Sequence, residues 1–281
     1  MMSEHPKQTK QKDRKSHQPS AKLRGSTRDD AKTRLSKTLS YVLRHGAEKE
    51  RIPIRPDGFV LVNDLLSTPK FRELDFETLQ SIVKEDNKQR YHLVQDVDQD
   101  GTPSDWIIRA NQGHSLKTVE VEDKDILSAE EVPMAVHGTN KKAWASIEKQ
   151  GLSKMTRNHI HIAQGLTGDT VISGKLFTPL QLQRRFANFN KGMRNSADIF
   201  IYIDLQKALG AGYKFQLSAN GVILTAGNEK GFLPPEFFSQ VERRVGKSGR
   251  EPLPGWEGAI HPKSSEVVIG STQSESNPAD S

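Results

Sequence analysis

The chain has 281 residues, of which 27% are charged, and it contains no cysteine. This length allows one or two domains with a buried core. The lack of cysteine excludes a disulfide scaffold, a thiolate nucleophile and a cysteine-based zinc site, and it favours an intracellular protein, cytoplasmic or nuclear. No apolar run approaches the roughly 18 residues that a membrane-spanning helix requires, so no membrane partner is expected.

The positive charge is concentrated at the N-terminus. Residues 1–34 contain ten lysines or arginines and four acidic residues, a surplus equal to the net charge of +6 for the whole chain. Such a segment either binds nucleic acid through phosphate contacts or is simply solvated, and both interpretations stay open. We predict a basic disordered tail over 1–31 and a low-complexity tail over 246–281.

The first half of the body predicts three helices followed by a hairpin. Apolar residues at helical spacing mark the first helix: Leu35, Leu39, Val42 and Leu43. Gly46 is expected to end it. The other predicted elements are a strand at 59–61, a brief helix capped by Asn63, a helix over 75–86 and strands over 90–94 and 106–110. This order predicts a winged-helix lobe over 32–115, a small fold often used to hold nucleic acid.

The second half predicts a mixed α/β lobe over 133–245, reached through an acidic linker over 116–132. The predicted elements are a helix over 141–150 and strands at 134–137, 160–163, 199–204 and 221–225. Taken with the first half, they predict an α+β protein of two lobes.

Arg44 and His45 stand side by side at the predicted end of the first helix. Cations at that position are favoured by the helix dipole, which alone explains the pair. A functional interpretation is a phosphate-binding arginine beside a histidine that exchanges protons near neutral pH.

Two histidine-containing stretches lie in the second half. Gly138, between His137 and Thr139, either allows a ligand to approach the backbone or is a small residue required by a strand-to-helix turn. His159 and His161 alternate and would lie on one face of a strand. Two histidines without evident third and fourth ligands do not predict a metal, so none is expected.

Short motifs in a fixed order resemble the tRNA 2′-phosphotransferase family over about 34–238. The first are Leu35-Ser36-Lys37, Leu43-Arg44-His45-Gly46, Asp57-Gly58, Lys88-Gln89-Arg90-Tyr91 and Arg109-Ala110-Asn111-Gln112-Gly113-His114-Ser115. The others are His137-Gly138-Thr139, His159-Ile160-His161, Gly192-Met193-Arg194, Tyr202-Ile203-Asp204, Ser218-Ala219-Asn220-Gly221-Val222 and Gly231-Phe232-Leu233-Pro234. Each motif is short, and their common order carries the resemblance.

The resemblance implies a winged-helix lobe joined to an ADP-ribosyltransferase-like lobe that binds NAD as co-substrate. The implied reaction removes the splice-junction 2′-phosphate from ligated tRNA, giving 2′-hydroxyl tRNA, nicotinamide and ADP-ribose 1″,2″-cyclic phosphate. An alternative is ADP-ribosyl transfer to nucleic-acid phosphates without the second step, and another is a non-catalytic RNA-binding module. A monomer is expected.

The resemblance also implies roles for particular residues. The implied catalytic residues are Arg44, His45, Arg90 and Arg194. The implied NAD-binding residues are His137, Gly138, Thr139, His161, Ser218, Asn220 and Val222. RNA contacts are expected from Lys37, Lys88, Gln112 and His114. Two features depart from the family pattern: Leu217 stands where many relatives have arginine, and the stretch 166–190 is long.

Overall fold

In the computed structural model the chain divides into two compact units. The structure describes residues 22–132, 134–166, 171–172, 175–176, 193, 196–246 and 249–257. Unit 1 takes in the described residues up to Glu122 together with Thr156–Asn158, and unit 2 takes in Asp123–Met155 and the described residues from His159 onward. Helices and small antiparallel sheets in both units confirm the α+β class.

Unit 1 has the predicted order of helices and hairpin. Its elements are α1 (Ala31–Tyr41), a π-helical turn (Val42–Gly46), β1 (Val60–Leu61), α2 (Val62–Leu66), α3 (Phe76–Lys84), β2 (Tyr91–Val97) and β3 (Pro103–Ala110). The strands pair in the order β1-β3-β2. Each helix contributes a fully buried leucine to one core, namely Leu39, Leu65 and Leu79. Burial of such side chains contributes roughly 1.5–3 kcal/mol each.

The caps of unit 1 differ in part from the prediction. Asp30 and Asp75 accept the N–H groups of Thr33 and Thr78 and begin α1 and α3. The prediction that Asn63 caps the brief helix is wrong, because α2 begins after Leu61 and has no side-chain cap. An isolated Asn before an apolar run does not distinguish the cap position from the first turn of the helix.

The end of the first helix is the larger difference. The α-helical hydrogen bonding ends at Tyr41, and the chain continues as a π-helical turn through Gly46. Gly46 does not adopt a left-handed conformation and therefore does not end the helix in the expected way. A Cβ at Gly46 would lie 2.8 Å from Cε1 of Tyr41, so the glycine instead admits the tyrosine ring.

Replacement of Gly46 by alanine is expected to lower the free energy of unfolding by about 1–3 kcal/mol, because the added methyl group overpacks against Tyr41. Chemical denaturation of the two proteins measures the difference. Gly210→Ala is the matched control, since a Cβ there meets nothing within 4 Å. Equal stability of Gly46→Ala and the wild-type protein would contradict the expectation.

Unit 2 is built from small antiparallel sheets. The helical elements are 3-10 turns at Ala129–Glu131 and Pro235–Phe237, α4 (Lys141–Gln150) and α5 (Leu205–Gly210). The strands are β4 (Lys124–Ile126), β5 (Val136–Thr139), β6 (Leu152–Ser153), β7 (Ile160–Ile162), β8 (Val171–Ile172), β9 (Lys175–Leu176), β10 (Ile199–Ile203), β11 (Phe215–Leu217), β12 (Ile223–Thr225), β13 (Phe232–Leu233), β14 (Phe238–Val245) and β15 (Gly249–Pro252). Two four-stranded sheets have the orders β15-β14-β10-β5 and β4-β11-β12-β7. The helix predicted over 141–150 is confirmed, with Asn140 as its cap.

The stretch 116–132 is not a free linker. Leu116 and Val119 are buried in the core of unit 1, while β4 pairs with β11 in unit 2. The two units meet in sequence between Glu122 and Asp123. This stretch contains many acidic residues and few apolar ones, so its composition is typical of a linker. The few apolar residues nevertheless pack into the core.

The folded part also extends beyond both predicted ends. Leu23 packs against the core of unit 1. At the other end, β15 pairs with β14, and the indole of Trp256 lies 5.6 Å from that of Trp144 and donates to Glu148 at 3.1 Å. The low-complexity tail was therefore predicted to begin too early, because polar composition concealed an edge strand and one aromatic anchor. Residues 1–21 and 258–281 lie outside the described residues.

Candidate active site

Arg44 is a half-buried arginine with unused hydrogen-bond donors. Its Nε and Nη2 atoms are buried and have no hydrogen-bond partner among the described residues. Burial lowers the pKa of the guanidinium to about 10. Gly113 lies against this side chain with a φ of +92°, and a Cβ there would come within 3.3 Å of Cδ and Nε of Arg44. The unsatisfied donors of a charged group are costly, and an anion placed against them would relieve that cost.

Two further arginines act on Arg44. The positive charges of Arg157 and Arg90 both lower its pKa further, and Asp86 is the acid that opposes them. Arg157 belongs to the short segment Thr156–Asn158, which is part of unit 1 although its neighbours in sequence belong to unit 2. Asn158 anchors that segment by donating to the carbonyls of Leu116 and Val119. Unit 1 therefore collects three guanidinium groups, one of which the sequence analysis did not single out.

Arg90 is held by an acid and by the hairpin. The Asp86 carboxylate accepts from both the main-chain N–H and Nη1 of Arg90. The preceding residue, Gln89, has a φ of 45°, and Asn111 stabilises this turn by donating to the carbonyl of Gln89 at 2.7 Å. The Asp86 side chain is 5% exposed and that of Arg90 is 34% exposed, so the arginine keeps part of its surface available. Asp86 and Asn111 thus position a predicted catalytic residue.

His45 follows Arg44 in the π-helical turn. Its Nδ1 lies 2.9 Å from Oγ of Ser115, and the N–H of Ser115 donates to the carbonyl of Arg44 at 3.0 Å. Burial lowers the pKa of His45, and the positive charges of Arg157, Arg44 and Arg24 lower it further. π-helical turns within helices are rare and frequently occur at functional sites. Because burial and nearby cations lower its pKa from 6.5, the imidazole is expected to be mostly neutral at pH 7 in the free protein.

This lowered pKa is directly measurable. Because burial and nearby cations disfavour the imidazolium, His45 is expected to titrate below its ordinary value of 6.5. Arg157→Gln removes one of those charges and is expected to move the midpoint upward. NMR titration of the His45 ring in both proteins, without substrate, tests this. A wild-type midpoint at or above 6.5 would contradict the assigned environment.

The predicted RNA contacts differ in their surroundings. Lys37 is exposed and pairs with Asp29 at 2.7 Å. The pKa of Lys88 is lowered by burial and by the charge of Arg90, which places Lys88 beside the cationic cluster. Gln112 is half-buried, whereas His114 is 5% exposed. His114 is a buried part of unit 1 and does not present a surface for RNA.

In unit 2 the motif His137-Gly138-Thr139 lies within β5 and not in a turn after it. Nδ1 of His137 lies 2.8 Å from the carbonyl of His161, so the hydrogen bond requires the proton on Nδ1 and fixes the ring. A Cβ at Gly138 would lie 2.7 Å from Cγ of Met193, so packing alone already requires a glycine here. His161 lies in β7, while His159 precedes that strand.

The stretch 218–222 forms the predicted turn. The N–H of Gly221 donates to the carbonyl of Ser218 at 2.8 Å, and Gly221 has a φ of +78°. Oγ of Ser218 accepts from the N–H of Val222 at 2.9 Å and lies 2.9 Å from Oδ1 of Asn220. Ser218, Asn220 and Val222 are all buried. These side chains hold the loop together, and Gln164 adds a bond from Nε2 to the carbonyl of Gly221.

Arg194 lies outside the described residues, as do 177–190 of the long stretch 166–190. Within the parts of the chain that are described, no group of three His, Cys, Asp or Glu side chains is placed to hold a metal ion. In those same parts, no helix is long and apolar enough to cross a membrane. Arg157 is the main site residue that the sequence analysis missed. Its only sequence signal is its position just before His159-Ile160-His161.

Arginine charges that act on one another and on His45 suit the binding of an anionic group. The family described as "RNA 2′-phosphotransferase, Tpt1 / KptA family" matches residues 30–227. A "tRNA 2′-phosphotransferase 1" of Danio rerio is 40% identical over 223 residues, covering 78% of this chain and 90% of the relative. The Homo sapiens protein of that name is 43% identical, covering 75% and 76%.

A more distant relative, the "tRNA 2′-phosphotransferase" of Saccharomyces cerevisiae, is 32% identical over 223 residues and covers 76% of this chain and 85% of the relative. The chain is a transferase, and it belongs to the RNA 2′-phosphotransferase, Tpt1 / KptA family.

Proposed function

We propose that this enzyme transfers the splice-junction 2′-phosphate of ligated tRNA to NAD. The products are 2′-hydroxyl tRNA, nicotinamide and ADP-ribose 1″,2″-cyclic phosphate. The observation that carries the proposal is the guanidinium of Arg44, whose Nε and Nη2 atoms are buried and have no partner among the described residues. The names of the relatives in Danio rerio, Homo sapiens and Saccharomyces cerevisiae support tRNA as the RNA.

The residue types suit a phosphate that acts as nucleophile. A 2′-phosphate is already an anion, so the enzyme needs cations that hold it in place more than it needs a strong base. Arg44, with Arg90 and Arg157 acting on it, supplies those cations in unit 1. Arginine remains charged even at a pKa of about 10 and binds phosphate oxygens through two N–H groups.

NAD supplies an electrophilic anomeric carbon. In the first step a 2′-phosphate oxygen bonds to that carbon as its bond to nicotinamide breaks. His137, Gly138, Thr139 and His161 are the residues of unit 2 that we propose to hold the nicotinamide side. The ring of His137, fixed by its hydrogen bond to the carbonyl of His161, fits this role. The buried residues Ser218, Asn220 and Val222 would stabilise the conformation of their own loop, 218–222.

In the second step the ribose 2″-hydroxyl attacks phosphorus and the RNA 2′-oxygen leaves. One proton is lost from the hydroxyl and one is gained by the departing oxygen. His45 is suited to exchange that proton because its lowered pKa makes it a neutral acceptor at pH 7. The arginines would stabilise the charge that spreads over the phosphoryl oxygens.

The remaining assignments follow from this scheme. Unit 1, with its winged-helix order over 32–115, would bind the RNA, and unit 2, over 133–245, would bind NAD as an ADP-ribosyltransferase-like lobe. Lys37, Lys88 and Gln112 are the proposed RNA contacts. Lys88 lies within electrostatic reach of Arg90.

The test uses the full chain, NAD and an RNA with one internal 2′-phosphate. We expect nicotinamide and 2′-hydroxyl RNA in equal amounts, and no nicotinamide when the starting RNA already has a 2′-hydroxyl in place of the 2′-phosphate. A stable ADP-ribosylated RNA would favour the alternative activity without the second step. Persistence of both the 2′-phosphate and NAD with folded protein would reject the proposal.

A further inference from the structure

The segment Lys22–Arg24 lies on unit 1 ahead of α1, before the first residue matched by the family, at 30. Leu23 packs against the core, and the main-chain N–H of Arg24 donates to Oγ1 of Thr38 at 2.8 Å. Thr38 is itself buried in α1. The basic N-terminal segment is therefore anchored at Arg24.

The guanidinium of Arg24 lies over the ring of Tyr41. Its guanidinium carbon is 3.2 Å from the ring centroid of Tyr41, and that ring lies 5.8 Å from the ring of His45. Because Gly46 has no side chain, the Tyr41 ring packs closely against it, and this contact holds the ring in place. Stacking occupies the face of a guanidinium and leaves the N–H groups on its edge.

Those N–H groups are available to a ligand. Arg24 is exposed, and among the described residues its guanidinium makes no hydrogen bond or ion pair. Arg24 has no acidic partner, and the aromatic ring holds it in one orientation. Its planar guanidinium is therefore preorganised to donate hydrogen bonds to an anion. Its charge also lowers the pKa of His45, which shows that it lies within electrostatic reach of the histidine.

We propose that Arg24 binds the phosphodiester that flanks the 2′-phosphate in the RNA. This inference rests on the proposed function. An internal 2′-phosphate always shares its ribose with a 3′-phosphodiester, so the substrate brings two anions a few bonds apart. The half-buried Arg44 suits the monoester, and the exposed Arg24 at the edge suits the diester. Arg24 would thus distinguish an internal 2′-phosphate from a terminal one.

The experiment is a double-mutant cycle on the dissociation constant of the full chain, measured without NAD. The RNAs carry an internal 2′-phosphate, and their flanking 3′ linkage is either the natural phosphodiester or a neutral methylphosphonate. We expect Arg24→Gln to weaken binding of the natural RNA by about five- to tenfold. The neutral linkage should weaken binding to the wild-type protein by a similar factor. Arg24→Gln and the neutral linkage together should weaken binding no more than either change alone.

Arg28→Gln is the matched control, an exposed arginine of the same basic segment. It removes the same charge, so it separates a specific contact from the general positive field of the tail. The main-chain bond to Thr38 survives the substitution at Arg24, and Tm of each variant reports folding.

Independent, additive losses from Arg24→Gln and the neutral linkage would overturn the proposal, as would equal losses in Arg24→Gln and Arg28→Gln. An unchanged dissociation constant with a lower kcat would also overturn it, because Arg24 would then act on His45 through Tyr41. Binding needs no turnover. Nicotinamide release by the wild-type protein therefore tests the transfer reaction separately from the binding measured here.

Discussion

Arg44→Met is expected to lower kcat/KM by at least about 10³-fold while leaving Tm unchanged or higher. Loss of an arginine that stabilises phosphoryl transfer costs about 10³–10⁵ in rate. Stability should not fall, because Nε and Nη2 of Arg44 are buried without partners among the described residues. An apolar side chain of similar length removes that unsatisfied charge. Steady-state kinetics with 2′-phosphorylated RNA and thermal unfolding measure both effects.

Arg55→Met is the control for this substitution. Arg55 is a half-exposed arginine of the same unit, and it pairs with Asp57 and Asp96 at 2.7 and 2.8 Å. Exposed ion pairs contribute little to stability, so its loss should change neither rate nor Tm appreciably. A rate within tenfold of wild type for Arg44→Met, in folded protein, would remove Arg44 from the phosphate site.

Arg157→Gln is expected to lower kcat/KM by about 10²–10³-fold, the second largest effect. Arg157 acts on both Arg44 and His45, so its loss weakens the positive field at the phosphate and raises the pKa of the histidine. With less neutral His45 near pH 6.5, the acid limb of the pH–rate profile should move to higher pH. Rates across the range from pH 5.5 to about 8, the window of histidine titration, measure this.

Arg194→Gln is the informative comparison, because the sequence resemblance makes Arg194 a catalytic residue, whereas Arg157 is assigned from its electrostatic effect on Arg44 and His45. We expect Arg157→Gln to change the acid limb, since Arg157 acts on His45 directly. A wild-type rate and acid limb in Arg157→Gln would remove Arg157 from the site, whereas a large loss in Arg194→Gln is what the resemblance implies for Arg194.

The helices and the hairpin of unit 1 were predictable because each has a local signal. Leu39 belongs to the apolar face of α1 and Leu79 to that of α3, and Asp75 caps α3. The π-helical turn that holds Arg44 and His45 has no such signal. In it Tyr41 packs against Gly46, a contact that a helical pattern does not reveal.

Arg157 and β15 were not predicted from the sequence, and both for the same physical reason. Arg157 joins unit 1 through Asn158, whose partners are the carbonyls of Leu116 and Val119. Main-chain carbonyls leave no trace in a sequence, so nothing in the pattern places Arg157 beside Arg44. Similarly, β15 was concealed by polar composition, since its edge position requires only main-chain pairing with β14.

Binding of two RNAs that differ only in the internal 2′-phosphate tests the central claim most directly, in the wild-type protein and in Arg44→Met. Without NAD, no chemistry obscures the comparison. The 2′-phosphate is predicted to strengthen binding to the wild-type protein by at least about tenfold, and that increment should vanish in Arg44→Met. An equal increment in the two proteins would contradict the assignment of Arg44 as the 2′-phosphate site.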